Sequence, residues 1–270
     1  MNAAPVNMAP PRRVALCADD FGASAGASLA ILDLARLGAI SSTTCLVHAP
    51  FIDQFARSLR GLAPDVSIGL HLDLTEFAPA SQRDSLRRWL LHGFLLRNIS
   101  QTRVLDGIRR QLDRFEELFG QAPAFVDGHQ HVHQIPGIRE PLLEELQQRH
   151  GRSVAIRSTC TRGPHGFKGW LIEGLGGRSL RTLVELRALS ANTDFAGAYD
   201  LRSMSTFSQS MHHWLRTIAN GGLIMCHPEL PRKRRLPANA RQAEYCFLAS
   251  PAWPELRASL NIQLQPFTAS

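Results

Sequence analysis

Three histidines, His129, His131 and His133, alternate in the stretch FVDGHQHVHQ at residues 125–134, with Asp127 just before them. This short segment holds three of the chain's 11 histidines. On an extended backbone, residues two apart point the same way, so Asp127 and the three imidazoles could face one space unless a turn after His129 breaks the alternation. Imidazole is the commonest protein ligand for zinc and similar ions, and carboxylates complete such sites. The same residue types close other apolar runs. Asp19 and Asp20 follow RVALCA, His71 sits in IGLHLDL, and His227 ends LIMC. One carboxylate and two imidazoles from different strands would hold an ion and leave a position open, as catalytic metal sites do. The competing reading is a buried hydrogen-bonded network, yet five or more ionisable groups are costly to bury together without a metal or a substrate.

Such residues need elements that bring them to one place. RVALCADD is a near-continuous apolar run ending in carboxylates, as expected of a strand covered on both faces. SAGASLAILDLARLG follows with a helical stripe of Ala27, Ala30, Ile31, Leu34 and Leu37, and Gly38 stands where that helix should end. STTCLVHA, DVSIGLHLDL, PAFVDGHQ, SVAIRST, LIMCHPE and LNIQLQPF read as further strands. FIDQFARSLRG, residues 102–119, IREPLLEELQQRHG and MHHWLRTIANGG read as helices between them. The alternation predicts an α/β fold: an irregular (β/α) barrel of seven or eight parallel strands, forming a single domain over residues 13–270 behind a flexible tail at 1–12. In such barrels chemistry sits at the carboxyl ends of the strands, where all four polar clusters fall. Residues 77–100 and 159–191 interrupt the rhythm and are expected to be loops or extra helices over one end.

Composition narrows the function. The chain has 270 residues, is 44% hydrophobic and carries a net charge of +7, values ordinary for a globular protein. Its basic residues are nearly all arginine and are spread along helices; the lysines are Lys168 and Lys233. The densest basic cluster, PRKRR at 231–235, reads as a solvated loop, although its charge would also suit an anionic ligand. No nucleic-acid partner is expected. Five cysteines without a C-x-x-C pair argue against a disulfide framework or a thiolate zinc site. No apolar run is long enough for a membrane span, and no secretory signal precedes Arg12, so a cytoplasmic location is expected. A homo-oligomer is compatible with these features. Trp89, Trp170 and Trp214 are candidates either for stacking on a sugar or for the core, and Arg241 with Glu244 reads as a surface ion pair ahead of the alternative that either returns to the mouth on the final helix.

Taken in order, ADDFGASAGASLAIL, GAISSTTCLVHAP, IGLHLDLTE, FVDGHQHVH and LIMCHPE resemble the YdjC-type carbohydrate deacetylases, the chitooligosaccharide and hopanoid-associated deacetylases. The resemblance implies a metal-dependent hydrolase that removes an N-acetyl group from an amino sugar. It implies one divalent ion, Mg²⁺ or Zn²⁺, held by Asp20, His71 and His129, with Asp19 as general base and His227 as general acid. Asp127 would then orient His129, and His131 and His133 would support the ligands or touch an N-acetylated sugar or glycolipid. This chain has Ser28, Gly128 and Glu229 where such proteins often have Asn, Ser and a small residue. Two other readings compete: a metal-dependent phosphoesterase, and a non-catalytic sugar-binding barrel.

Overall fold

The structure, a computed structural model, describes residues 10–162, 172–199, 207–231 and 239–269. Trp170, most of the basic cluster at 231–235 and most of the expected tail lie outside them. Eight strands are described: β1 Arg12–Phe21, β2 Ser42–Cys45, β3 Ser67–Leu72, β4 Phe125–Gly128, β5 Ala155–Ile156, β6 Phe195–Ala196, β7 Gly222–Cys226 and β8 Ile262–Leu264. Every pairing is parallel, in the order β5-β4-β3-β2-β1-β7-β6, and β8 joins the first residues of β1. The two ends of this path meet. Ile156 bridges to Ala191, and the Asn192 side chain accepts from Ser158 N and donates to Ser158 O. The sheet is thus curled into a (β/α) barrel, as the alternating pattern predicts.

The expected helices form with the expected stops. Among them α1 spans Ala25–Arg36 and α2 spans Ile52–Arg60. Ser24 caps α1 by accepting from Ala27 N at 3.0 Å. The helix after residue 100, Gln101–Phe119, ends at Gly120 in the left-handed conformation, φ 71°. Three features go beyond the sequence reading. β6 has two residues, too short for a periodic signal, whereas the equally short β5 falls within the expected SVAIRST. The interruption at 77–100 holds a short helix, Leu86–Leu90, running into a wider π-type turn at Leu91–Leu96. Two helices, Ala240–Leu248 and Ala252–Ser259, follow β7.

Strand alternation divides the side chains into two cores and aims the polar ones. Val14, Leu16 and Ala18 of β1 belong to the large cluster between sheet and helices. Their neighbours Ala15 and Cys17 join Phe125, Ala155, Phe195, Leu223, Met225 and Phe267 in a second cluster that fills the barrel. That interior is tightly filled. A Cβ on Gly69 would lie 2.7 Å from the Phe125 ring, and Phe125 packs on Phe267 with ring centroids 4.9 Å apart. On five strands a polar residue stands two positions after an interior one, on the same face. Cys17 is followed by Asp19, Gly69 by His71, Phe125 by Asp127, Ala155 by Arg157 and Met225 by His227. The apolar floor therefore fixes which side chains reach the mouth.

Phe125→Ala removes the ring that supports this floor. Such a truncation costs about 3–5 kcal/mol, and urea unfolding should show a lower midpoint with little change in slope.

Candidate active site

Asp19 and Asp20 are sequence neighbours, and on a straight strand they would face opposite sides. The backbone resolves the conflict at Asp20 itself. Its φ is 69°, and the β1–β2 register shifts between Ala18 and Phe21. Gly22 continues the bend at φ 96°, where a Cβ would press within 3.2 Å of Leu46 O and Ile52 Cβ. Ser28 Oγ accepts from Gly22 N at 3.1 Å and pins the turn to α1. Both carboxylates consequently line one cleft of about 480 Å³.

Asp20, His71 and His129 converge there. Asp20 Oδ1 lies 3.6 Å from His71 Nε2 and 3.2 Å from His129 Nδ1, and one donor atom from each residue falls within 4.8 Å of the others. Asp20 Oδ1 is buried and has no hydrogen-bond partner, whereas Oδ2 is held by Arg241 at 2.9 Å. Each imidazole is turned by a carboxylate on its far side. His71 Nδ1 meets Asp127 Oδ1 at 2.6 Å, and His129 Nε2 meets Glu76 Oε2 at 3.0 Å. This carboxylate–histidine arrangement fixes tautomer and direction in metal sites. A buried, unpartnered carboxylate oxygen beside two oriented imidazole nitrogens fits a single divalent cation. Burial alone would lower His71, but Asp127, Asp19 and Asp20 outweigh it and raise it to about 9. Burial would raise Asp20, but His129, His227, His71 and Arg241 hold it well below the usual carboxylate range.

Beside this set lies Arg157, which is 1% exposed. Its guanidinium grips Asp19 with two bonds, Nη1 to Oδ2 at 2.6 Å and Nη2 to Oδ1 at 2.7 Å. The same Nη1 lies 2.7 Å from Asp127 Oδ2, and Thr44 Oγ1 donates to Asp19 Oδ1 at 3.1 Å. Burial would raise the Asp19 carboxyl, but Arg157 overrides it and keeps the group ionised well below its ordinary range.

The alternation after Asp127 does not persist. Gln130 and His131 take left-handed angles, φ 52° and 59°, and the segment coils into a 3₁₀ turn over His129–Gln134. The three histidines therefore separate. His129 joins Asp20. His131 lines the cleft beside the Phe195 ring. His133 is fully buried, with Nε2 3.1 Å from Arg157 O. Burial holds both of the latter near a pKa of about 3, and both are neutral at pH 7. A Cβ on Gly128 would come within 2.7 Å of His133 N, so this tight coil requires glycine there. Across the cleft, His227 Nε2 is 4.0 Å from Asp19 Oδ2, and burial lowers its pKa against the pull of Asp20 and Asp19.

Several expectations change. Asp127 orients His71, not His129, because β3 and β4 pair His71 directly with Asp127. Arg241 and Glu244 do not form a surface ion pair. Arg241 reaches Asp20, while Glu244 is fully buried and accepts from His227 N and from Tyr199 Oη. Burial raises Glu244 to about 7 against those two bonds. Trp89 and Trp214 do not line the cleft. Trp89 is buried with Nε1 donating to Leu74 O at 2.8 Å, and Trp214 packs on Tyr199 and Phe207. Arg157 and Glu76 are absent from the residues singled out by type. Arg157 had a signal, a charge interrupting the apolar strand SVAIRST. Glu76 sits in a loop and had none.

Comparison with known proteins identifies the family and the fold. The family model of YdjC-like proteins matches residues 13–259. A chitooligosaccharide deacetylase of Escherichia fergusonii is 29% identical over 85% of this chain and 84% of its own length. One from Serratia marcescens is 29% identical over the same shares, 85% and 84%. Among solved structures, a protein of Enterococcus faecalis V583 provisionally described as acting in cellobiose-phosphate cleavage superposes with a TM-score of 0.68. At 19% identity it covers 95% of this chain and 98% of its own, which speaks to the fold.

If Asp20, His71 and His129 hold a cation, the raised His71 makes its affinity dependent on pH. A cation on Nε2 must displace the proton that His71 carries below about 9. Affinity should therefore climb by up to about tenfold per pH unit between pH 6 and 9, with proton release on binding in calorimetry. A flat affinity over that range would remove His71 from the ligand set.

Proposed function

The chain belongs to the YdjC-like protein family, and on that premise we propose that it is a metal-dependent N-deacetylase. It hydrolyses the acetamido group of an amino sugar to acetate and free amine. The observation that carries this reading is the buried Asp20 Oδ1, without a hydrogen-bond partner and set between His71 Nε2 and His129 Nδ1. It lies in a cleft that also holds a fixed carboxylate and an unbonded imidazole nitrogen, His227 Nδ1. The chitooligosaccharide deacetylase relatives match over most of their own length, which supports an N-acetylated sugar as substrate.

Asp20, His71 and His129 would hold the ion, and two nitrogens with one oxygen suit Zn²⁺ or a similar transition metal while also admitting Mg²⁺. A bound divalent ion polarises the acetamide carbonyl and acidifies the attacking water. Asp19 accepts the water's proton as general base. Arg157 keeps that carboxylate ionised and aimed, and also keeps its proton affinity low. His227 is neutral before the reaction, and its Nε2, 4.0 Å from Asp19 Oδ2, is beyond a direct hydrogen bond, so the proton would pass on to it through one water. His227 then acts as general acid and delivers it to the departing nitrogen, without which the amine is a poor leaving group. His131 and Arg241, both on the cleft wall, are placed to bond the sugar.

The cleft wall supports a narrower reading of the substrate. Leu86, Leu90, Ile135, Ile172, Leu175 and Met225 line it, and no Phe, Tyr or Trp does among the described residues. Sugar stacking relies on aromatic faces. An aliphatic wall favours an amino sugar joined to an apolar group, a glycolipid rather than a long bare oligosaccharide. A phosphoesterase using two ions is disfavoured, because the second set of acidic and imidazole groups, Asp19, His71 and Asp127, is already filled by Arg157. No described helix is long and apolar enough to cross a membrane. Five unpaired cysteines accord with a reducing cytoplasm.

The purified chain should bind one divalent ion and release acetate from N-acetylglucosamine-containing substrates. Asp19→Asn should keep the ion and lose about 10²- to 10⁴-fold in kcat, while Asp20→Asn and His129→Ala should lose the ion. Loss of the ion in Asp19→Asn would exchange the two aspartates' roles. Because burial lowers His227 below 6.5 and it must start neutral, turnover should fall as pH drops through that depressed value. In His227→Ala this acidic limb should disappear along with most activity.

A further inference from the structure

Next to the cleft the chain exposes an apolar surface that deacetylation does not use. Leu91, Leu95 and Leu96 are 44%, 75% and 52% exposed. They are not loose side chains seeking cover, because the segment's inward side is already occupied. Trp89 is buried and bonded to Leu74 O, and Gly93 is so close to Ile135 that a Cβ would lie 2.6 Å from its Cγ2. The π-type turn at Leu91–Leu96 places the leucines on the outer side of this anchor. Within the segment itself the charge has one sign, with Asp84 and Asp106 at its borders. From Ser85 to Leu105 the chain has no acidic residue but carries Arg87, Arg88, Arg97 and Arg103. Arg87 and Arg97 are exposed, and Arg88 pairs with Asp84 at 3.2 Å while its side chain stays 63% exposed.

We propose that residues 86–97 form a docking face for an anionic phospholipid bilayer, on which the exposed leucines enter the acyl boundary and the arginines meet the head groups. The combination of aliphatic side chains flanked by arginines is the chemistry of segments that lie in a membrane surface. A protein surface of the same kind would need matching carboxylates and a fitted hollow, whereas a bilayer supplies negative charge and apolar depth together. The face is continuous with the cleft. Leu86 and Leu90, on the helix that runs into the π-type turn, belong to the cleft wall. A lipid-linked amino sugar could therefore pass from bilayer to site along one aliphatic strip. That last step rests on the proposed reaction; the docking itself does not.

The test is co-sedimentation of the full chain with vesicles, which needs no turnover. Vesicles of phosphatidylcholine and phosphatidylglycerol in equal parts should carry the chain down at low salt. Phosphatidylcholine alone should not, and high salt should release it. A Leu95→Asp/Leu96→Asp variant should bind about tenfold or more weakly, as should Arg87→Glu/Arg97→Glu. Both should keep the parent's thermal unfolding and its acetate release from a water-soluble N-acetylated sugar. Leu186→Asp, at an equally exposed leucine outside the segment, should bind like the parent. The proposal is overturned if the parent stays in the supernatant with anionic vesicles at low salt, or if the leucine and arginine variants bind as tightly as the parent. It is also overturned if ultracentrifugation shows a dimer that Leu95→Asp/Leu96→Asp dissociates, since a second copy would then cover the face.

Discussion

The guanidinium of Arg157 is the interaction around which the mouth of the barrel is organised. A charged group 1% exposed is tolerable only when opposite charge surrounds it with good geometry. Here Asp19 and Asp127, from strands on either side of β2 and β3, supply that charge. The arginine thus ties β1, β4 and β5 across the barrel rather than along the sheet. It also decides which carboxylates are committed. Asp19 and Asp127 are spoken for, and Asp20 is not gripped by it. Taking away such a buried partner typically costs about 3–5 kcal/mol, so the same contact that sets the chemistry also holds the strand ends together.

The strand parity explains why the arrangement is economical in sequence. Strands β1, β4, β5 and β7 each contribute an apolar residue to the floor and a polar residue two positions later. The register of the sheet, once fixed by Phe125 against Gly69, therefore places His71 beside Asp127 and brings Arg157 within reach of Asp19. Asp20 is out of phase with this pattern. It enters the cleft only because the chain turns left-handed at that residue, and the Gly22 turn and Ser28 absorb the consequence. A non-glycine residue in that conformation is disfavoured. Its persistence at the residue that offers a buried, unbonded oxygen is the usual association of local strain with a functional position.

This division also accounts for what could be read from the sequence. The barrel and the converging set Asp19, Asp20, His71, His129 and His227 were legible, because apolar runs ending in carboxylates or imidazoles mark strand ends directly. The partners of those residues were less so. Asp127 could be assigned to His129 by proximity in the chain, but a parallel sheet pairs it with His71, and no local pattern reports a register between strands 56 residues apart. Glu76 and Glu244 lie on a loop and on a helix beyond the strands, where a carboxylate resembles any solvated one. The left-handed pair Gln130–His131 dispersed the three histidines, and neither residue is of a type that announces such a turn.

The electrostatic balance of the mouth follows from these placements. Four carboxylates, those of Asp19, Asp20, Asp127 and Glu76, face two guanidiniums, those of Arg157 and Arg241. The excess is two negative charges. It draws protons to the imidazoles set among those carboxylates: His71 rises to about 9 and His129 is raised as well, although burial opposes both. A divalent ion on Asp20 and the two imidazoles would replace those protons and balance the excess, and would stand opposite the negative charge that develops on an acetamide oxygen during attack. Meanwhile Asp127 keeps its hydrogen bond to His71 Nδ1 in either state, so the imidazole is held in direction whether its outer nitrogen carries a proton or a metal. The barrel mouth thus carries an excess of negative charge, which a divalent cation of the kind the proposed reaction needs would offset.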